Sequence, residues 1–276
     1  MKVLVTGSKG FIAKNLIESL SDHDVSKIDL EDFYQNEFWR YDLLKIIEQF
    51  NPDVIFHVGA CSDTMELGVN YMMELNYDST KVIANYCKST GCKLIYSSSA
   101  ANSGDNGLGP SNLYGWSKYV AEDLVLLLDG VALRYFNVYG PGEEHKGRMA
   151  SVAYQAWSTR KYPGYFKLFR GKPTRDFVYV KDVVSANLHA LKNYETLKGK
   201  YFEVGSGESR SFEDVLDLME LKYDYRPESA TPRGYQFFTV SNKDLWMPEW
   251  SPRYTIDTGI AEYLMYLNNA KQNDQN

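Results

Sequence analysis

Lys2-Val3-Leu4-Val5-Thr6-Gly7-Ser8-Lys9-Gly10-Phe11-Ile12-Ala13 opens the chain, and the rest of the architecture can be worked out from it. Residues 2–6 are an apolar run of strand length. Gly7 permits a tight turn, and Gly10 lets backbone approach a pyrophosphate seated on a helix N-terminus. Phe11, Ile12, Leu16, Ile17 and Leu20 then recur at helical spacing. Ala13 stands at the third small position and still permits close helix–strand packing. Asp29 ends a second predicted strand, where a carboxylate can hold a ribose 2′-hydroxyl. A Gly-x-x-Gly turn alone can serve packing only. In a strand–turn–helix setting, with Asp29 beyond it, it reads as a dinucleotide site. Asp29 favours NAD, while nearby Lys27 and Arg40 leave NADP open.

Further along, apolar runs at 53–60, 93–97 and 131–136 read as strands. Helical patterns lie at 42–50, 70–90 and 112–129. Strands and helices that alternate through short turns imply right-handed crossovers and a parallel sheet covered on both faces. After residue 140 the pattern loosens into Gly/Pro-rich stretches. Two strand–helix units interrupt them, Phe177–Val180 with a helix from Lys181, and Tyr201–Val204 with a helix near Phe212. The expected class is α/β: a Rossmann-type doubly wound parallel sheet with a smaller C-terminal α/β substrate-binding cap. Residues 1–140 form the NAD(P)-binding domain and 141–276 mainly the substrate domain, with the chain returning to the first near 174–192 and 236–244. The polar tail after Asn268 is expected to fray.

The 276 residues carry 30 Lys+Arg against 36 Asp+Glu, a net charge of −6, which argues against a nucleic-acid partner. The longest aliphatic run, Leu124–Leu128, falls far short of the roughly 20 residues that span a bilayer. Polar residues and Gly7 interrupt the N-terminus too early for a secretory signal. Three cysteines and four scattered histidines fit no disulfide framework and no metal site. A cytoplasmic protein without a membrane partner is expected.

Tyr114-Gly-Trp-Ser-Lys118 places a phenol and an ammonium on one face of a predicted helix. A lysine cation beside a phenol lowers the phenol's pKa. Such a tyrosine can remove a hydroxyl proton as hydride leaves the same carbon. Ser97-Ser98-Ser99 ends the preceding strand and can offer a hydroxyl to the reacting oxygen.

Thr6-Gly7-x-x-Gly10-Phe11-Ile12, Ser97–Ser99, Tyr114-x-x-x-Lys118 and Arg134–Gly140 together resemble the extended short-chain dehydrogenase/reductase superfamily over nearly the whole chain. Further stretches are distinctive: His57–Ser62, Tyr71–Tyr77, Tyr139–Ala153, Lys167–Phe169, Arg175–Val180 and Gly234–Thr239. They most resemble the ADP-L-glycero-D-manno-heptose 6-epimerase family, which supplies heptose for lipopolysaccharide. His145-Lys146-Gly147 with Met149-Ala150-Ser151 is the most specific block.

The resemblance implies transient oxidation of a nucleotide sugar to a ketone and return of hydride to the opposite face, on tightly bound NADP or NAD. Tyr114 and Lys146 would be the two proton-handling groups. Ser99 would bond the sugar oxygen, and Lys118 would hold the nicotinamide ribose. Gly7, Gly10, Phe11, Ile12, Asp29, Asp42, Val58, Gly59, Ala60, Cys61, Ser62, Asn76 and Val138 would contact the dinucleotide. Asn137, Arg148, Gln155, Phe169, Arg175 and Tyr235 would grip the nucleotide sugar. A homo-oligomer is expected, with the helices near 70–90 and 112–129 as its contacts.

The family usually has Ser where Arg148 stands and His where Gln155 stands. Ala100 and Ala101 replace the acids with which related dehydratases expel water. The alternatives that stay open are a UDP- or GDP-hexose 4-epimerase, a related reductase, and a cofactor-binding regulatory protein.

Overall fold

Alternation of apolar runs becomes alternation of strands and helices. The computed structural model describes residues 1–29, 34, 36–104, 108–161, 166–230 and 236–273. The first half runs β1 (Lys2–Thr6), α1 (Phe11–Glu18), β2 (Asp24–Ile28), α2 (Trp39–Phe50), β3 (Val54–His57), α3 (Val69–Met73), a π turn (Glu74–Asp78), α4 (Ser79–Thr90), β4 (Lys93–Ser99), α5 (Leu113–Leu127) and β5 (Val131–Tyr135). The second half runs β6 (Asn137–Tyr139), α6 (Val152–Thr159), β7 (Lys167–Leu168), β8 (Thr174–Tyr179), α7 (Val180–Lys192), α8 (Tyr194–Leu197), β9 (Lys200–Val204), β10 (Ser209–Ser211), α9 (Phe212–Leu218), β11 (Asp224–Tyr225) and α10 (Ile256–Asn273).

The main sheet has the order β2-β1-β3-β4-β5-β9. Every pairing in it is parallel, from Val3 opposite Val54 to Tyr135 opposite Val204. Successive strand residues point to opposite faces. Val3, Val5, Val54 and Phe56 therefore enter one core, under α1 and α7. Leu4, Ile55 and Tyr96 enter the other, under α2, α4 and α5. Strand order reverses between β1 and β3, the switch point where such sheets bind ligands. Beside this layer β10, β8 and β6 form a small sheet, packed with α6, α9 and α10 around Tyr139, Phe177, Tyr179 and Tyr263.

Several expectations need correction. Within 174–192 the strand joins the small sheet and only α7 packs on the main one; the returning strand is β9. Within 236–244, Phe238 bridges Thr174 of the small sheet, while Asn242 N donates to Glu203 Oε2 on β9 of the main sheet at 2.6 Å. α10 continues past Asn268 to Asn273, and residues 274–276 of the tail expected to fray lie outside the described residues. Ile256, Ile260, Tyr263 and Leu267 recur at helical spacing and are buried, anchoring the polar last turns. No helix among the described residues is long and apolar enough to cross a membrane.

Candidate active site

The glycine turn and the loop after β3 meet backbone to backbone. Gly7 has φ +65°, and a Cβ there would stand 2.4 Å from Gly59 Cα. Gly10 precedes the first turn of α1, which holds no acidic side chain. Side-chain-free backbone facing an open helix N-terminus suits a pyrophosphate, so the turn fits a dinucleotide. Asp29 Oδ2 accepts from Lys9 N at 3.1 Å, which puts its carboxylate beside that turn. Asp42 behaves differently: in the first turn of α2 its Oδ2 accepts from Asn36 Nδ2 at 2.6 Å, and no described contact joins it to the turn.

Polar groups hold this cradle from behind. Thr6 Oγ1 accepts from Gly59 N at 3.1 Å and lies 2.7 Å from His57 Nδ1. His57 Nε2 lies 2.9 Å from Thr80 Oγ1, which donates to Asn76 O at 2.7 Å. Burial holds His57 far below its ordinary range, at about 3, so the ring is neutral. Asn76, on the π turn, accepts from Cys61 N at 2.7 Å and donates to Cys61 O at 3.0 Å and Ser117 Oγ at 2.9 Å. One amide thus fastens the Val58–Ser62 stretch to α5.

A cavity of about 430 Å³ opens beside the cradle. Ile12, Ser62, Ser99, Tyr114, Asn137, Val138, Lys146, Gln155 and Phe169 line it. Tyr114 comes from α5 and Ser99 from the end of β4. Burial pushes the Tyr114 phenol above its ordinary value, opposed by the hydroxyl of Ser99. The expected lowering by Lys118 is therefore corrected: burial wins, and the serine supplies the counterweight. Lys118 is itself buried, its Nζ 4.1 Å from the centre of the Tyr96 ring. Desolvation brings it down to about 7, against the pull of Glu122. Lys146 Nζ lies 5.4 Å from the Phe11 ring, and burial lowers its pKa against the raising effect of Glu143.

The remaining candidates are less alike. Gln155 donates to Ala150 O at 2.6 Å and Arg148 O at 3.2 Å, so it shapes the turn that carries Lys146. Arg148 is exposed and paired with Asp63 on the loop after β3. Arg175 is buried in β8, where it donates to Thr174 O at 2.9 Å and to Gln236 O. Neither arginine lines the cavity. Phe169 carries the Arg226 guanidinium 4.9 Å from its ring centre. Tyr235 lies outside the described residues.

Sequence reasoning missed three supporting residues. Glu143 is fully buried and accepts from Ser151 Oγ at 2.7 Å, Tyr263 Oη at 3.0 Å and Gly140 N at 3.3 Å. Glu122 accepts from Ser98 Oγ at 2.6 Å and Arg134 Nη2 at 2.6 Å, which steadies the end of β4. Arg226 lines the cavity from just beyond β11. The one-turn spacing of Lys118 and Glu122 was a readable signal; Glu143 and Arg226 stand in no local pattern.

Residues 3–205 match the model of the NAD dependent epimerase/dehydratase family. An ADP-L-glycero-D-manno-heptose-6-epimerase of Brachyspira hyodysenteriae is 32% identical over 311 aligned positions, covering 96% of this chain and 97% of that protein. The crystal structure of the Helicobacter pylori ADP-L-glycero-D-manno-heptose-6-epimerase aligns with a TM-score of 0.81 at 27% identity, covering 97% of this chain and 96% of that one. The UDP-glucose 4-epimerase of Thermotoga maritima, solved with UDP-glucose, aligns with a TM-score of 0.85 at 22% identity over 98% and 99% of the two chains. That last likeness concerns the fold alone.

Proposed function

The chain belongs to the NAD dependent epimerase/dehydratase family, and we propose that it inverts one carbinol carbon of a nucleotide sugar, C6 of an ADP-glyceromanno-heptose. The observation that carries this reading is that Tyr114, Ser99 and Lys146 line a single cavity beside the glycine cradle. The cofactor chosen by Asp29 is NAD. When bound, it supplies reversible hydride transfer. With the positive charge of the bound cofactor offsetting the effect of burial, Tyr114 is favoured as the phenolate. Its Oη then accepts the hydroxyl proton of the sugar, while Ser99 Oγ hydrogen-bonds the same oxygen. The resulting ketone turns in the cavity. Lys146, on the turn Glu144–Met149, gives a proton to the oxygen in its new placement, and its lowered pKa suits that exchange. Proton exchange with water then removes the proton from Tyr114 and restores the one on Lys146. Lys118 orients the cofactor ribose.

Three cationic side chains, Lys146, Lys167 and Arg226, line the cavity, and no carboxylate does so among the described residues. In a chain of net charge −6 this local excess suits a diphosphate. Residues 1–140 hold the cofactor, and 141–276 mainly the sugar nucleotide. The working form is a homo-oligomer; exposed Trp116 and Leu127 on α5 support this, and a monomer in light scattering would overturn it.

The test is NMR of the purified protein with ADP-D-glycero-D-manno-heptose, with UDP-glucose and UDP-galactose in parallel. Inversion at C6 without added cofactor supports the reading. Turnover of a hexose alone moves the chemistry to C4 and sinks the heptose assignment.

A further inference from the structure

Lys118 presents a problem of its own. It is 2% exposed, yet among the described residues its ammonium has neither a hydrogen-bond partner nor a carboxylate within ion-pair distance. Glu122 lies one turn along α5 and draws it electrostatically, but both Glu122 oxygens are committed to Arg134, Ser98 and Asn102. What lies against the ammonium is the face of Tyr96, a fully buried ring of β4. That ring is held in turn by His57, whose ring centre is 5.5 Å away at 37°. The Tyr96 hydroxyl makes no hydrogen bond of good geometry among the described residues. Its useful surface toward the site is the π face.

We infer that Tyr96 is the positioning residue of Lys118: the face of its ring, not an acid, seats the ammonium on the Tyr114 side of α5. A buried cation draws more from an aromatic face than an exposed one, because water no longer competes. The charged and titratable groups around Lys118 are Tyr114 and Glu122 on α5, Tyr96 on β4, neutral His57 on β3, and Arg134 on β5, which neutralises Glu122. On the π turn Glu74 and Asp78 pair with Arg40, while neutral Asn76 and Thr80 bond to Ser117 and His57. Without the ring, Lys118 loses its one close stabilising contact among the described residues. The inference rests on the proposed function only for its kinetic consequence.

The experiment is an NMR titration of protein carrying lysine labelled at Cε, with Lys118 assigned by its absence from the Lys118→Met spectrum. In the unaltered protein the Lys118 signal titrates near pH 7, and its ε-methylene protons lie upfield of other lysines through the ring current of Tyr96. Tyr96→Phe keeps both properties. Tyr96→Leu removes the upfield shift and lowers the midpoint by about half to one and a half pH units. A merely structural role would change stability and leave the midpoint alone. Two results overturn the inference: a folded Tyr96→Leu protein titrating as the unaltered one, or no upfield shift in the unaltered protein. The second needs no Tyr96 variant, only the Lys118→Met assignment, so it decides even if Tyr96→Leu does not fold. In kinetics, the pH dependence of kcat moves with the midpoint in Tyr96→Leu, with KM unchanged, and Tyr96→Phe restores it. An unaltered protein inert toward every nucleotide sugar would sink the functional reading and leave the titration result standing.

Discussion

Two walls of the site each carry a lysine, placed by different means: Lys146 lines the cavity, and Lys118 lies buried on the helix that brings Tyr114 to it. Lys118 comes from α5, where Tyr114, Lys118 and Glu122 follow at one-turn spacing, so helix geometry alone sets their relation. Lys146 comes from the short 3₁₀ turn Glu144–Met149, which Gly147 breaks at φ +53°. No periodicity places it. The turn is held by Glu143, which gathers Gly140, Ser151 and Tyr263 around one buried carboxylate. A substitution on the first wall should therefore act on chemistry, and one on the second through architecture.

The largest expected effect tests the first wall. Tyr114→Phe lowers turnover by about 10²–10⁴, the usual worth of a positioned acid–base group, with melting and bound dinucleotide unchanged. Progress curves by NMR, and nucleotide released on denaturation, measure both. Unchanged turnover would end the mechanism.

Next comes pH. His57 titrates at about 3 in the fold against its ordinary 6.5, so the unfolded chain binds a proton first as pH falls. Its contribution is complete above pH 6.5 and is lost as pH falls toward 3, roughly 4–5 kcal/mol in all. Lys118, at about 7 against 10.5, acts in the same direction over a higher window. The stability it confers is complete above pH 10.5 and lost as pH falls through 7. Urea unfolding of cofactor-free protein across pH should show stability rising with pH in both windows. Lys118→Met should abolish the upper one and shrink the lower one, because burial and then the Lys118 charge hold His57 down.

Glu143→Gln sharpens the comparison from the other side. Glutamine keeps one acceptor oxygen in place of two, which should cost about 1–3 kcal/mol in urea unfolding. Turnover should fall with it through the displaced Lys146, while Tyr96 and Lys118 keep their NMR signature. A change in that signature would mean that the walls are not independent.

The smallest effect is expected at Arg148. It joins the walls by an exposed ion pair with Asp63, and such pairs contribute about 1 kcal/mol or less. Arg148→Ser should therefore melt as the unaltered protein does and bind the nucleotide sugar within about fivefold. A larger rise in KM would return Arg148 to the substrate.

Much of the first wall is legible in the amino-acid order. Gly7, Gly10, Ser99, Tyr114 and Lys118 sit at fixed offsets from strand ends and helix starts, and those offsets carry their geometry. Little of the second wall is. Lys146 stands out by resemblance alone, since between two glycines its local chemistry reads as an ordinary loop lysine. Arg148 and Arg175 suggest phosphate ligands; one pairs with Asp63 across the chain, and the other donates to the carbonyls of Thr174 and Gln236 and lies over the Phe212 ring. Their residue type is readable, but their partners lie many residues away.

Side-chain periodicity and the freedom of glycine suffice for the alternating elements, the parallel sheet, the glycine turn and the order of Tyr114, Lys118 and Glu122 along α5. Those features are local, so the amino-acid order carries them unaided. Packing settled the rest: β9 closes the sheet, α10 anchors the tail, Glu143 holds the Lys146 turn, and Lys118 rests on Tyr96. It also reversed the expected shift of Tyr114, which burial raises. Desolvation and long-range pairing belong to the packed whole, because water is excluded only where distant elements meet.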